Sequence, residues 1–342
     1  MLGFYACFGT IHGSPYFSSM IPAFKCFLVS IFCCFFFNGL AQDIQVLQGD
    51  YHGDSSYYHL AKINDNEYWA SGESGVLTVF DSLGNFRKLP FSLQGKNILK
   101  VERFANTVFI VSDDQVIFKY NLQDSVLTAI HLRRFRNRCF YDFQILPDGK
   151  MLLCGGSTGI SRALKKIPHG FILLTDTSLQ KTHIVWRSFR KFVWSLCSKD
   201  DGQTFAAVFN GINTKVLTST NLTRWKKHAK VRGLVHDMKI KDGSLLYAGG
   251  TSFHFYRPGF LSSDTRKEYQ IHPGSGCIWS QEISGDQLLA CTQSGQIIVL
   301  TQGRINTELN FSRTQAIYDF KLLSSHLILA VGHGRYAALM RY

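Results

Sequence analysis

One pattern recurs seven times in this chain. A pair of residues, usually an aromatic followed by Asp or Ser, stands thirteen positions ahead of a pair of small or polar residues. The opening pairs are Tyr58-His59, Leu99-Lys100, Tyr141-Asp142, Trp194-Ser195, His236-Asp237, Trp279-Ser280 and Tyr318-Asp319. Successive pairs begin 41, 42, 53, 42, 43 and 39 residues apart. A fixed period of this length marks an array of supersecondary units, each of which buries its apolar face only against a neighbour.

Inside each repeat, two short strands flank a tight turn. Pro147-Asp148-Gly149, Asp200-Asp201-Gly202 and Asp242-Gly243 are such turns, built from residues that tolerate positive φ or favour turn geometry. The second strand is continuously apolar, as in Met151-Leu152-Leu153 and Leu288-Leu289-Ala290, which is how a strand buried on both faces reads. A third strand follows, and in six repeats a more polar fourth. Four short strands at this period predict an all-β fold, a seven-bladed β-propeller forming one domain over residues 43–342. The seventh repeat supplies only three strands. The strand-like Asp43–Gln48 is expected to complete the last blade and close the ring, which protects the sheet edges.

The segments Val193-Trp194-Ser195 with Asp201-Gly202, Ile278-Trp279-Ser280 with Leu288-Leu289-Ala290, and Tyr141-Asp142 with Cys154-Gly155-Gly156 carry a resemblance. They resemble regulator-type propeller repeats and, more loosely, the WD40, YVTN and plant-assembly-factor propellers, here in the style of exported bacterial proteins. The resemblance runs over about residues 44–342. It implies blade geometry and no particular activity.

Residues 1–41 read as a signal peptide. Lys25 forms a basic n-region, Phe27–Phe37 an apolar stretch, and Gly39 and Ala41 the small residues of a cleavage site. The apolar stretch falls short of the roughly 17 residues needed to span a bilayer. Met20 is the expected true start, and export to the periplasm or the exterior is the expected destination. Four of the nine Cys precede Ala41, leaving Cys139, Cys154, Cys197, Cys277 and Cys291. They lack metal-ligand spacing and sit in apolar runs, so they are expected to be small buried hydrophobes.

The formal net charge is +13, and it is concentrated. Residues 131–240 hold 20 Lys and Arg against 6 Asp and Glu, while the remaining residues hold 17 against 18. A candidate basic binding patch comprises Arg133, Arg134, Arg136, Arg138, Lys165 and Lys166, the last two in a ten-residue expansion of the third repeat. One-sided positive charge favours an anionic partner, here a protein or an anionic glycan or other envelope component. Nucleic acid is disfavoured, because the basic clusters are not interleaved with aromatics as in single-strand binders. A monomer is expected.

The second residues of the opening pairs form a candidate ring at the channel mouth: His59, Asp142, Ser195, Asp237, Ser280 and Asp319, with Lys100 at the equivalent place in the second repeat. Such a ring could hold a polar ligand, or could bond the backbone at the start of each strand. The aromatic partners Tyr58, Tyr141, Trp194, Trp279 and Tyr318 are expected to wedge between blades. No catalytic motif, cofactor site or metal-ligand spacing is present in the sequence. The reading is an exported binding or scaffold propeller with a basic side. The alternative is a propeller enzyme acting on a sugar or small ligand through Asp142, Asp237 or Asp319.

Overall fold

The computed structural model describes residues 43–48, 55–91, 93, 95–132, 138–157, 169–250, 259–264, 269–270, 276–302, 304–312 and 315–342. These residues form seven four-stranded antiparallel sheets, and within six of them the strand order follows the chain. The blades cover residues 57–88, 98–131, 138–189, 192–232, 234–270, 278–310 and 317–341, numbered here 1 to 7. Each innermost strand packs against that of the next blade, and the innermost strand of blade 7, Ile317–Ser324, packs against Tyr57–Asn64 of blade 1. The result is the closed ring of a seven-bladed propeller.

Closure follows the expected route. Asp43–Gln48 is the outer strand of blade 7, antiparallel to Ala337–Arg341, with Asp43 opposite Arg341 and Ile44 opposite Met340. Ile44 and Leu47 pack into the clusters on either side of this blade. The turns also follow their residues. Asp242 and Gly243 both have positive φ (50° and 74°), as the two-residue turn that matches strand twist demands.

The core is divided among the clefts between blades. Trp69, Val79, Val101 and Ile110 join blades 1 and 2, and Tyr57, Phe80, Leu329 and Leu339 join blades 7 and 1. Cys139, Cys154, Cys197, Cys277 and Cys291 are buried thiols. Burial pushes the Cys197 thiol up to about 12, which leaves it protonated and unreactive at neutral pH.

One irregularity repeats in every blade. The innermost strand carries a β-bulge at the opening pair, between Tyr57 and His59, Ile98 and Lys100, Phe140 and Asp142, and at the four equivalent places. The bulge explains the small residue thirteen or fourteen positions on. A Cβ on Gly332 would lie 1.9 Å from the Ala316 carbonyl oxygen, and one on Gly155 would lie 1.9 Å from that of Cys139. In blades 1, 3, 5 and 7, at Gly72, Gly155, Gly249 and Gly332, the backbone of the second strand approaches the bulged chain too closely for a side chain, whereas blades 2, 4 and 6 carry Asp113, Val208 and Gln293 in this region.

Removing residues 43–48 exposes the Ala337–Arg341 edge and uncovers Ile44 and Leu47 contacts worth about 2–3 kcal/mol in apolar burial alone. The truncated protein should melt at least roughly 3–5 °C below the parent and aggregate on heating. Parent-like melting in a calorimetric scan would rule out this strand as the closure.

Candidate functional site

The extra residue of a bulge has no partner across the ladder, so its side chain is freed from the in-and-out alternation of the blade. In six blades that residue is aromatic: Tyr58, Tyr141, Trp194, His236, Trp279 and Tyr318. All six are half-buried. They contact one another from blade to blade, and Trp279 also packs, as expected, against the apolar cluster between blades 6 and 7. Tyr141 stacks on Trp194 with centroids 4.8 Å apart, Trp194 meets His236 at 5.7 Å, and His236 meets Trp279 at 4.3 Å. Trp279 meets Tyr318 at 5.1 Å, and Tyr318 meets Tyr58 at 6.0 Å. The rings form a collar at one end of the channel. Its single aliphatic member is Leu99 of blade 2.

The next residue along each strand belongs to the ring foreseen from the sequence, and its geometry is that of a clamp. Asp142 accepts the Phe143 N–H at 2.8 Å with Oδ1 and the Leu196 N–H of blade 4 at 2.7 Å with Oδ2. Asp237 accepts Met238 N–H at 2.9 Å and Gln281 N–H of blade 6 at 3.0 Å. Asp319 accepts Phe320 N–H at 2.9 Å and Leu60 N–H of blade 1 at 2.7 Å. Each carboxylate spends both oxygens on backbone, one in its own blade and one in the next. His59 accepts the Val101 N–H of blade 2 through Nδ1 at 3.4 Å, so its proton sits on Nε2, which faces Asp319 at 3.9 Å. Ser195 and Ser280 occupy the ring in blades 4 and 6, and Ser280 bonds Asp319.

Two positions further along lies a charged layer. Lys239 approaches Glu282 at 3.7 Å, Lys321 pairs with the same carboxylate, and Glu102 is the blade 2 member, while in the ring itself Lys100 holds Asp142 Oδ1 at 2.5 Å. The rings set these groups' protonation. Burial raises Asp319, but Lys321, His59 and the Leu60 N–H together hold it below the usual carboxylate range. Burial pushes Asp237 up to about 6 despite Lys239 and the Gln281 N–H. Burial likewise pushes Glu102 up to about 7 against the pull of Lys100. His59 and His236 are both pushed down to about 3 by burial and are neutral at physiological pH.

The basic flank lies elsewhere. The outermost strand of blade 4, Lys226–Arg232, pairs with Asn213–Ser219 so that Arg232 stands opposite Asn213, Lys230 opposite Lys215 and Lys227 opposite Leu217. These residues share one face with Val208 and Leu217, which pack towards blade 3. The other face, with Val216 and Val231, packs towards blade 5. The cleft between blades 3 and 4 is therefore apolar inside and lined at its rim by exposed Lys215, Lys227, Lys230 and Arg232 on one wall and half-buried Trp186 on the other. Residues 213–232 contain no Asp or Glu. Of the patch foreseen from the sequence, Arg138 is half-buried and donates to the His169 carbonyl at 3.3 Å. Arg133, Arg134, Arg136, Lys165 and Lys166 lie outside the described residues. The run Arg224, Lys226, Lys227, Lys230 and Arg232 is already a basic cluster in the sequence, and strand register adds Lys215 to it, opposite Lys230.

Replacing Asp319 by Asn leaves either Phe320 or Leu60 with its buried N–H facing an amide donor. The variant should lose about 2–4 kcal/mol in urea unfolding, against a small change for Ser195→Ala. A second expectation concerns pH. Glu102 has a raised folded pKa, so its stabilising contribution is complete below 4.5, the unfolded value, and is lost as pH rises through about 7. Glu102→Gln should therefore melt close to the parent at pH 4 and above it at pH 8. A melting difference that does not vary with pH would show that Glu102 is not strained by ionisation.

No family profile matches the chain, and no curated protein does. Among solved structures, the fold is similar to that described as "YCF48 bound to D1 peptide", with a TM-score of 0.63 and 14% identity over 88% of this chain and 96% of that one. It is also similar to the computationally designed Ika8 protein, with a TM-score of 0.59 and 10% identity over 87% of this chain and all of that one (100%). At these identities the likeness establishes the propeller architecture.

Proposed function

We propose that this protein is a binding or scaffold propeller whose basic flank, at the rim between blades 3 and 4, takes an acidic segment of a partner protein. The observation that carries the reading is the four-cation face of Lys215, Lys227, Lys230 and Arg232. A strand that exposes this many like charges repels a second copy of itself and admits a chain of opposite sign. Apolar anchors stand beside it. Phe189, 47% exposed, ends the outer strand of blade 3, and Ile212, 61% exposed, accepts the Gly233 N–H through its carbonyl next to Arg232. Exposed apolar groups close to cations, as Phe189 is to Arg190 at 5.6 Å, are what a peptide with acidic and aromatic residues requires. The peptide held by the YCF48 propeller is a precedent for this kind of ligand on this fold. Export belongs to the same reading, with cleavage after Ala41 releasing a protein that begins at Gln42.

The channel carboxylates support binding over catalysis. Asp142, Asp237 and Asp319 each have both oxygens engaged by backbone N–H groups, whereas a general acid or base must be free to exchange its proton with a substrate.

The test is fluorescence anisotropy with a labelled acidic peptide carrying one Phe or Trp, a charge-reversed peptide and a sulfated glycan. The acidic peptide should bind, and more weakly in 1 M than in 0.1 M salt, as the screening length falls from about 10 Å to about 3 Å. Reversing Lys215, Lys227, Lys230 and Arg232 to Glu should weaken it more than tenfold, since each exposed charge contributes about 0.2–1 kcal/mol. Salt-independent binding, or preference for the glycan, would overturn the protein-segment reading.

A further inference from the structure

Blades 7 and 1 carry two turns of the same shape and opposite charge. In each, three residues after a glycine join the second strand to the third: Glu73-Ser74-Gly75 after Gly72 in blade 1, and His333-Gly334-Arg335 after Gly332 in blade 7. Both turns hold two consecutive residues of positive φ, Ser74 and Gly75 at 55° and 77°, Gly334 and Arg335 at 62° and 54°. Both are tied to the bulged strand alike. Glu73 N–H donates to the Ser56 carbonyl at 2.8 Å, and His333 N–H donates to that of Ala316 at 3.0 Å. Arg335 thus adopts a left-handed conformation at the place where blade 1 has glycine. The backbone of the turn does not call for arginine there, and a side chain strains it.

The side chain of Arg335 makes no ion pair among the described residues to offset that strain. Its Nη2 donates to Ser55 Oγ at 3.3 Å, and its Nε is buried with no acceptor. A half-buried guanidinium without a counter-charge is unfavourable, and its planar fork matches a carboxylate or phosphate. The nearby groups do not neutralise it. Burial pushes the Tyr57 hydroxyl up to about 12, despite the bond to Thr78 and the Arg335 charge, so that group is neutral at physiological pH. Glu73, which stands in blade 1 where blade 7 has His333, accepts the Tyr58 hydroxyl instead.

The remaining neighbours are donors. Ser55 and Ser56 are consecutive, buried residues at the entry to blade 1. Ser55 Oγ accepts from Arg335, which leaves its own proton to donate. Ser56 Oγ lies 3.1 Å from His333 Nδ1. With this hydroxyl donating, the ring proton stands on Nε2 of the exposed His333. Two residues apart in one tight turn, His333 and Arg335 therefore converge on adjacent serines and bring N–H donors to one place.

We propose that the turn His333–Arg335, with Ser55, is a binding site for an oxyanion, a carboxylate or phosphoryl group, held by the Arg335 guanidinium with the Ser55 hydroxyl and the His333 imidazole as further donors. The site lies where blade 7 meets blade 1, across the ring from the rim of blades 3 and 4. It does not depend on the reading of that rim, and it takes one charged group where the rim spreads four cations along a strand.

The experiment is calorimetric titration of the full chain, in about 0.15 M salt, with inorganic phosphate, with N-acetylglycine and with the neutral N-acetylglycine amide. Phosphate or N-acetylglycine should bind saturably, and the amide about tenfold more weakly or worse, the loss of one charge-assisted bond. The tighter anion assigns the group as phosphoryl or carboxylate. Arg335→Gly installs the residue that blade 1 uses, so it should melt at or above the parent while weakening the better anion about tenfold or more. Arg335→Lys keeps the charge without the fork and should weaken it about threefold or more, which provides a second reading should the glycine variant fold poorly. Reversal of Lys215, Lys227, Lys230 and Arg232 to Glu should leave this anion's affinity within about twofold of the parent, since the rim lies beyond the screening length of about 8 Å. The proposal is overturned if neither anion saturates, if the amide binds equally well, if the folded Arg335 variants bind the anion unchanged, or if only the rim reversal abolishes binding.

Discussion

The ring rests on the bulge that opens every innermost strand. A bulge sets one residue outside the ladder and turns the next so that its side chain lies along the neighbouring blade. Where that next residue is Asp, a single carboxylate joins its own strand to the adjacent one through two charge-assisted hydrogen bonds, each worth about 1.5–3 kcal/mol. Asp319 does this for blades 7 and 1, Asp142 for blades 3 and 4, and Asp237 for blades 5 and 6. His59 repeats the arrangement for blades 1 and 2 with a weaker, neutral acceptor. The apolar clefts alone would hold the blades together without fixing their angle. The clamps fix it, because a carboxylate accepting from two strands tolerates little rotation between them.

The same device explains what the sequence made legible and what it concealed. Period, turn residues and apolar second strands come from local chemistry, so blade number and the closing strand could be read directly. The opening pair was visible too, and Trp279 packs against the interblade core as expected, but the ring-to-ring contacts that run from blade to blade were not foreseen. Nothing in the one-letter pattern distinguishes a Trp wedged between sheets from one displaced by a bulge, since the difference is one unpaired residue in the register at Trp194 or Trp279. The Asp half was open between ligand and backbone partners. The nearest donor, Leu196 N–H for Asp142, lies 54 residues away, beyond the reach of any local argument. The cationic run of blade 4 from Arg224 to Arg232 is legible in the sequence, but Lys215 joins it only through strand pairing with Lys230.

Charge sign is separated across the molecule, and the separation has a structural cause. An outermost strand is solvated on its free edge and can carry any number of like charges at small cost, which also discourages pairing with other chains. Lys226–Arg232 uses that freedom. An inner strand faces a narrow channel walled by seven sheets, where a charge must be matched or displaced in pKa. The channel accordingly pairs most of its ions, and the unmatched remainder appears as the raised values of Glu102 and Asp237.

Stability and recognition therefore draw on different parts of one blade. Asp319, Asp142 and Asp237 have their acceptors engaged by backbone, so altering them disturbs the ring before it disturbs any ligand. Glu102 is engaged in the same way by the Ile145 N–H of blade 3, whereas the rim lysines of blade 4 make no comparable clamp among the described residues, and substitutions there leave the interblade hydrogen bonds intact. A propeller divided in this way can change its outer and axial side chains without changing its angle of closure. That division is the physical reason a propeller architecture can be shared at 14% identity while the outer and axial side chains, and with them any function, differ from one chain to the next.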